Sequence, residues 1–434
     1  MTLPGPRIRL LTSLQVAFAP YRTYHRWRAN YGPNFLARAV NGDVLCTGDP
    51  AVIRDLFRKT DDEVGPFRPE VLAPLLGPRS LFTLTRQAHT RERKLLMPPF
   101  HGARMRAYGD AIVCSAEEAC ARIAPGDRLR MADTMLQVSL AVICRAIFGV
   151  EHDLPRWMDL LRGPIENISP MALFVPATQQ SFVPAWRRFV VARDALDEAI
   201  HRTISDRREQ GAQGEDILSL MLNATYEDGS AMDDGAVRDE LVSLLFAGHE
   251  TTQISMAWAL RLIHEDPVLL ADLRDEVDAC DGSPAELAKL PLLGATVDEA
   301  LRIDPIVPDV LRTMLVDADL GGIQVTAGTH VSPIAALVHR DPELYPDPEI
   351  FRPRRFLEQR FRPWEYLPFG GGTRRCIGAA LATYEMKLVL GTVLRRLSLE
   401  NDGDDWMVRR SVTMGPKRGA PMRCVARRTG SIAP

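Results

Sequence analysis

The sequence lacks the cysteine spacings that mark structural metal sites and disulfide frameworks. None of its cysteines forms a C-x-x-C pair, and their number is odd. This usage predicts a reducing compartment, with no zinc site and no disulfides. The seven cysteines are Cys46, Cys114, Cys120, Cys144, Cys280, Cys376 and Cys424.

The sequence also lacks an excess of charge of one sign and any long apolar run. Lys plus Arg number 53 against 56 Asp plus Glu, a net charge of -3 that argues against a nucleic-acid partner. The apolar part of Leu10 to Ala19 is far shorter than the ~20 residues of a spanning helix, and no signal-peptide core stands out. We therefore expect a soluble, cytoplasmic protein without a stable membrane anchor, which leaves open only peripheral contact through the N-terminal segment.

The chain has neither an internal repeat nor the marks of a fused redox module. No period of 20 to 50 residues recurs, no Gly-rich dinucleotide fingerprint follows a strand, and no cysteine cluster is present. The 434 residues fit one large helical domain built around a cofactor. We expect residues 1–434 to form this single domain, mainly α with small β-sheets, with segment 1–30 peripheral.

One glycine-rich stretch, Phe369 to Gly378, combines three consecutive glycines with two arginines and Cys376. Glycines let the backbone take positive φ and approach a flat object closely, and the cysteine opens a helical pattern that runs to Leu397. A helix N-terminus beside guanidinium groups favours a thiolate, and an arginine pairs bidentately with carboxylates. The stretch therefore fits a metal macrocycle with acidic side groups; the alternative is a buried free cysteine.

The order F-x-x-G-x-R-x-C-x-G resembles the cysteine-ligand loop of cytochrome P-450, a haem-thiolate monooxygenase. The resemblance implies an α-rich fold around heme b (iron protoporphyrin IX), with Cys376 as the axial thiolate and metal ligand. It also implies contacts from the loop residues Phe369, Gly370 and Gly378 to the cofactor. The expected reaction inserts one atom of dioxygen into a C–H or C=C bond.

The longest helical pattern, Asp233 to His264, contains the sequence A-G-H-E-T-T at residues 247–252. Leu244, Ala247, Gly248, Thr251 and Ser255 share one face whose side chains are mostly small, and the Thr251 hydroxyl can bond to the carbonyl four residues earlier. Such a face also suits helix packing. The segment resembles the family's A-G-x-D/E-T-T, which implies that Ala247 and Gly248 contact the haem and that Thr251 and Glu250 form the catalytic acid–alcohol pair.

Basic residues occur at the family's positions for the haem propionates. His89 and Arg93 are four apart on a helical stretch, hence on one face, and resemble H-x-x-x-R. The resemblance adds Arg312 and Arg374 to this set. The alternative for His89 and Arg93 is a solvated charged face.

Glu299 and Arg302 form an E-x-x-R pair, and Arg355 lies in a segment that resembles the family's F-x-P-x-R-F. E-x-x-R alone is a common exposed pair of little weight. The resemblance implies a buried structural network of Glu299, Arg302 and Arg355, in which loss of one member costs roughly 3 to 5 kcal/mol.

The resemblance also implies a substrate pocket under a lid that includes the helical pattern Trp186 to Arg208. Its apolar walls suggest a hydrophobic substrate such as a fatty acid, terpenoid or steroid. The pocket candidates are Phe67, Phe82, Phe174, Leu244, Ile306, Val307 and Val310.

Electrons are expected from a ferredoxin or flavodoxin and its reductase, docked on basic residues around the cysteine of a monomer. Alternatives are a haem-thiolate peroxygenase or dehydratase, which usually lacks the acid–alcohol pair, and a non-enzymatic haem sensor, which normally needs an output domain. The expected docking residues are Arg374, Arg375, Lys387, Arg395 and Arg396.

Overall fold

The structure, a computed structural model, describes residues 3–150, 152–168, 178–410 and 412–428. Helices dominate the described chain and the sheets are small, which confirms the expected fold class. The α-helices are α1 (Arg9–Phe18), α2 (Pro20–Tyr31), α3 (Pro50–Phe57), α4 (Pro69–Leu76), α5 (Arg86–Leu96), α6 (Gly102–Ala107), α7 (Gly109–Ala121), α8 (Met131–Val142), α9 (Leu154–Asn167), α10 (Pro184–Glu209), α11 (Ile217–Asn223), α12 (Asp234–Ile263), α13 (Pro267–Asp278), α14 (Pro284–Leu287), α15 (Pro291–Ile303), α16 (Ala335–Val338), α17 (Arg355–Glu358) and α18 (Ala379–Arg396).

In the described part of the chain, the strands form four small sheets. Their spatial orders are β1-β2-β8-β5-β3, β4-β12-β9, β6-β7 and β10-β11. The strands are β1 (Asn34–Ala39), β2 (Gly42–Thr47), β3 (Val64–Pro66), β4 (Arg128–Arg130), β5 (Arg312–Met314), β6 (Ala318–Leu320), β7 (Ile323–Val325), β8 (His330–Pro333), β9 (Leu397–Asn401), β10 (Met407–Arg409), β11 (Met414–Pro416) and β12 (Pro421–Arg427). The predicted N-terminal hairpin corresponds to β1 and β2, which pair antiparallel.

The central element is α12, and its N-terminus is fixed by Asp233. The Asp233 carboxylate accepts hydrogen bonds from the backbone N–H groups of Gly235 and Ala236, which lack helical partners at this end. Most of the helix is buried, and it packs against α8, α15 and α18. A helix enclosed on most sides is apolar nearly all round, which explains its weak amphipathicity.

The predicted ionic network closes around Glu299 on α15. Arg302 donates two hydrogen bonds to its carboxylate, at 2.7 and 2.9 Å, and Arg355 donates a third at 3.1 Å. The three side chains are at most 1% exposed. The buried position of the pair excludes the alternative of an ordinary exposed E-x-x-R.

A histidine that no motif marked connects this network to the cysteine loop. Arg302 donates to the carbonyl oxygen of His339 at 2.6 Å, and His339 Nε2 accepts the backbone N–H of Leu367 at 2.7 Å. Leu367 lies two residues before Phe369. The network therefore supports the entry of the chain into the loop as well as α15 itself.

Segment 1–30 is only partly peripheral. Tyr24 and Trp27 of α2 are each 3% exposed and pack in a buried cluster with Phe35 of β1. The expectation of a peripheral segment is therefore wrong for α2. Among the described residues, no helix is long and apolar enough to cross a membrane.

Candidate functional site

Cys376 lies at the end of a tight loop, three residues before α18 begins. Its backbone N–H donates to the carbonyl of Phe369 at 2.9 Å, which closes the loop. The thiol is accessible although it lies deep within the protein. Burial raises its pKa, and the Gly378 backbone and the Arg375 and Arg93 guanidinium groups only partly oppose this. Burial therefore opposes the predicted bias toward a thiolate in the protein alone, and a coordinated metal cation would favour the deprotonated sulfur.

Two of the three consecutive glycines adopt the expected positive φ, and the third is required by protein packing. A Cβ at Gly371 would lie 2.2 Å from the ring of Phe57, and Gly370 and Gly372 have φ of 62° and 69°. Gly371 is required because α3 packs closely against it. Gly370 and Gly372 are required because their backbone is left-handed. By contrast, a Cβ at Gly378 or Gly248 would meet no atom within 4 Å, so protein packing does not require these two glycines.

Three guanidinium groups meet beside the loop. Arg374 donates to the carbonyl of Leu84 at 2.8 Å, and Arg312 donates to the carbonyl of Arg374 at 3.2 Å. Arg93 donates to the carbonyl of Arg375 at 2.6 Å. Burial and mutual repulsion lower the pKa of Arg312 and of Arg374 to about 10.

The surroundings of these three guanidinium groups indicate whether they fit the propionates of a haem. Within the described chain, none of the three guanidinium groups has a carboxylate within 4.0 Å, and Arg374 Nε is buried without a hydrogen-bond partner. Uncompensated buried cations are costly, and an anionic ligand removes that cost. The cluster therefore fits the two carboxylates of a haem.

His89 is held by a carboxylate that the sequence analysis did not find. Its Nδ1 lies 2.8 Å from Asp61 Oδ2, and Thr90 and Thr373 each donate to Asp61 at 2.7 Å. His89 is 1% exposed, which excludes a solvated face. Burial lowers its pKa, with Arg374 adding to the effect and Asp61 opposing it. No motif marks Asp61, because its role arises from contacts with residues that are 28 to 312 positions away along the chain.

The distal candidates lie in the middle of α12. The Thr251 hydroxyl donates to the carbonyl of Ala247 at 2.7 Å, which confirms the predicted bond. Leu244, Ala247, Gly248 and Thr251 are each partly exposed, as are Phe246 and Glu250, whereas residues 252–263 of the same helix are buried. The Oε2 atom of Glu250 accepts a hydrogen bond from the Thr413 hydroxyl at 3.1 Å. Burial raises the pKa of Glu250, whereas Thr413 and Arg410 lower it.

A cavity of about 350 Å³ lies between α12 and the helices that cover it. Phe189 and Leu196 of α10 form part of its wall, which agrees with the expected position of a lid helix. Its charged lining groups are Glu250, Arg193 and Arg410. The remaining lining residues are Leu75, Leu76, Pro164, Ile165, Ile168, Val242, Leu245, Phe246 and His249.

The pocket candidates from the sequence do not line this cavity. Phe82 is 42% exposed, Phe67 packs edge-on against His330, and Val310 lies beside Gly370. Ile306 is buried, and its carbonyl accepts the backbone N–H of Met414. Leu244 and Val307 also lie outside the lining, and Phe174 lies outside the described residues. Helical periodicity alone could have indicated Val242, Leu245 and His249, which share the opposite face of α12 from Thr251.

The accessible cysteine, the cluster of buried cations and the acid–alcohol pair on a long helix define a haem-thiolate protein, in which a cysteine thiolate holds a haem iron. The chain belongs to the cytochrome P450 family, whose model, described as Cytochrome P450, matches residues 2–421. The protein is therefore an oxidoreductase of the P450 monooxygenase class.

Relatives and solved structures agree with this assignment. Cytochrome P450 138 of Mycobacterium tuberculosis is 34% identical over 433 residues, covering 98% of this chain and 95% of the relative. Cytochrome P450 135B1 of the same organism is 34% identical over 445 residues, covering 98% and 92%. The cytochrome P450DA heme domain superposes with a TM-score of 0.87 at 25% identity, covering 98% of each chain. A cyanobacterial CYP120A1 with bound retinoic acid has the same TM-score at 23% identity, covering 98% of this chain and 99% of that chain, and shares the fold.

Proposed function

We propose that the protein inserts one atom of dioxygen into a hydrophobic small molecule, by hydroxylation or epoxidation, with Cys376 as the axial ligand of heme b. The haem, when bound, supplies the activation of dioxygen, which consumes two electrons and two protons. The acid–alcohol pair Glu250 and Thr251 carries this proposal, because a peroxygenase or dehydratase of the family usually lacks it.

Thr251 is arranged to accept a hydrogen bond. Its own proton points to the Ala247 carbonyl, so the lone pairs of Oγ1 are directed elsewhere. In the proposal Oγ1 would hold a water molecule and would donate its proton only when the bond to Ala247 opens. The same bond holds the hydroxyl on the helix face that carries Ala247 and Gly248. We assign this face to contact with the haem.

Glu250 is arranged to move protons. Burial raises its pKa, so its carboxyl is protonated over more of the pH range than an exposed glutamate. Only Oε2 is engaged by Thr413, which leaves Oε1 to exchange protons with water in the cavity. We assign Glu250 the role of a general acid and base that supplies protons to the Thr251 hydroxyl.

We propose that Arg312, Arg374, Arg93 and His89 would neutralise or orient the propionates of heme b. The loop residues Phe369, Gly370 and Gly378, and Ala247 and Gly248 of α12, would contact the haem. Glu299, Arg302 and Arg355 have a structural role, and we assign the whole chain 1–434 to one haem domain.

The substrate is assigned as a fatty acid, terpenoid or steroid, since the residues proposed for the pocket are apolar. We assign Phe67, Phe82, Leu244, Ile306, Val307 and Val310 to pocket walls apart from the cavity on the opposite face of α12. Phe174, outside the described residues, stays a proposed pocket residue.

The electron donor is assigned as a ferredoxin or flavodoxin with its reductase, acting on a monomer. The docking face is narrower than the sequence analysis expected. Arg395 is buried and donates to backbone carbonyls, Arg396 pairs with Glu117, and Lys387 donates to the Ala288 carbonyl. Arg375 is exposed beside the cysteine and remains available to an acidic partner. Turnover should fall steeply with added salt; salt-independent turnover contradicts this docking.

The reaction is tested with the purified holoprotein and a matched pair of cysteine variants. Cys376→His should abolish the strongly red-shifted carbon monoxide difference band, whereas Cys114→Ser, at an exposed cysteine, should keep it. Product should form with reductant, an electron-transfer protein and dioxygen. Product formed only with peroxide supports a peroxygenase, and haem binding without product from a substrate panel supports a sensor.

A further inference from the structure

Helix α1 carries its apolar side chains outward. Leu10, Leu14 and Phe18 are 63%, 44% and 78% exposed, and Leu11 is 47% exposed. These positions fall within about 100° of one another around the helix axis. The buried residue of the helix is Thr12, at 1% exposure. A surface helix normally buries its leucines, so the pattern of α1 is reversed.

The orientation of α1 is fixed by contacts on its other side. Val16 packs on the cluster that contains Tyr24 and Trp27, and the Thr23 hydroxyl donates to the carbonyl of Gln15 at 3.0 Å. The Ser13 hydroxyl accepts the backbone N–H of Val40, which is itself 60% exposed. The helix therefore cannot bury its leucines by rotation without losing these contacts.

The acidic and basic side chains of the first 42 residues are all of one sign. Residues 1–42 contain no Asp or Glu and six arginines, so with a whole-chain charge of -3 the remaining residues carry -9. Arg9 pairs with Asp43 and Arg28 with Asp341. Within the described chain, the other four have no carboxylate within 4.0 Å. They are Arg7, Arg22, Arg26 and Arg38.

We propose that α1 binds peripherally to an anionic lipid surface, with its exposed apolar face at the boundary between headgroups and acyl chains. An exposed apolar strip, in an N-terminal segment whose only ionic side chains up to residue 42 are arginines, has the composition of helices that lie in that plane, and anionic headgroups satisfy the unpaired guanidinium groups. A second copy of the chain fits less well, because a two-fold contact places the same arginines against each other. A convex strip of this kind also offers no groove for a peptide.

The test is cosedimentation of the holoprotein with vesicles of phosphatidylcholine alone or of equal parts phosphatidylcholine and phosphatidylglycerol. Binding should require the anionic lipid and weaken as salt is added. Leu14→Glu with Phe18→Glu should reduce binding by about tenfold or more, because two apolar side chains that the lipid would bury are lost. Arg22→Gln with Arg26→Gln should reduce it by roughly fivefold per arginine.

The matched control is Val268→Glu on α13, another exposed apolar residue, at 71% exposure, which should bind like the parent. The carbon monoxide band verifies that each variant is folded. Equal binding by the Leu14/Phe18 variant and the parent overturns the proposal, as does failure of the parent to bind anionic vesicles. If light scattering shows a doubled mass for the parent but not for this variant, the exposed face of α1 mediates self-association instead. Vesicle binding does not depend on turnover, so the outcome is independent of the reaction proposed above.

Discussion

The Thr413 hydroxyl donates a hydrogen bond to Glu250 Oε2 at 3.1 Å, across 163 residues of chain. This contact joins the acid of α12 to the segment between β10 and β11. The backbone N–H of Arg410 donates to the Thr413 carbonyl at 3.0 Å, so the two residues that lower the pKa of Glu250 form one turn. Neither residue belongs to a motif found in the sequence.

Thr413→Val should raise the pKa of Glu250 further, because a hydrogen bond to the charged form is lost while burial remains. At a given pH, more of the carboxyl is then protonated. The midpoint of the pH profile for product formed per reductant consumed should move to higher pH, and the carboxyl band in the infrared should titrate with it. Thr203→Val, which removes a hydroxyl bonded to Ala199 on α10, is the control. Identical midpoints in parent and Thr413 variant exclude this tuning.

Thr251→Ala should keep the haem but release reducing equivalents as hydrogen peroxide, since the hydroxyl that holds water and protons is removed. The ratio of product to reductant consumed should fall several-fold, with total reductant consumption less affected. Thr296→Ala removes the same type of bond, from a hydroxyl to the Leu292 carbonyl at 2.7 Å, outside the site and should leave the ratio unchanged. A ratio unaltered by Thr251→Ala contradicts the proposed proton path.

Arg355→Ala should destabilise the protein by roughly 3 to 5 kcal/mol, because Glu299 is left with incomplete charge compensation at 0% exposure. Urea unfolding of parent and variant measures the difference. Arg423→Ala breaks an exposed pair with Glu400 and should cost at most about 1 kcal/mol. Equal losses in the two variants would show that burial does not determine the strength of this network.

His339 should make stability pH-dependent. Burial, followed by the charge of Arg302, lowers its pKa to about 3, below the ordinary value of about 6.5. As pH falls below about 6.5 the unfolded chain binds the proton first, so the native state loses up to about 1.4 kcal/mol per pH unit until about pH 3. His339→Asn should flatten this slope relative to the parent, and His201→Asn, at an exposed position of α10, should not. Parallel slopes in all three proteins contradict the prediction.

Short motifs in the sequence, through the family resemblance that they carry, were sufficient to predict the cofactor class and the members of the ionic network. The loop that ends at Cys376 and the bond from Thr251 to Ala247 depend on neighbours within about ten residues. Such contacts follow from helix periodicity and backbone geometry, which the sequence states directly. The two residues of the E-x-x-R pair are also close in sequence. Only their burial distinguishes them from an exposed ion pair.

The tertiary structure decided everything that depends on distant segments. Asp61 under His89, Phe57 against Gly371 and Thr413 at Glu250 are contacts between elements far apart in the chain, which no periodicity encodes. The cavity walls differ from the expected residues for the same reason. The outward leucines of α1 are the clearest case: the sequence contains an apolar helix, but only packing through Thr12 and Val16 determines which face remains exposed.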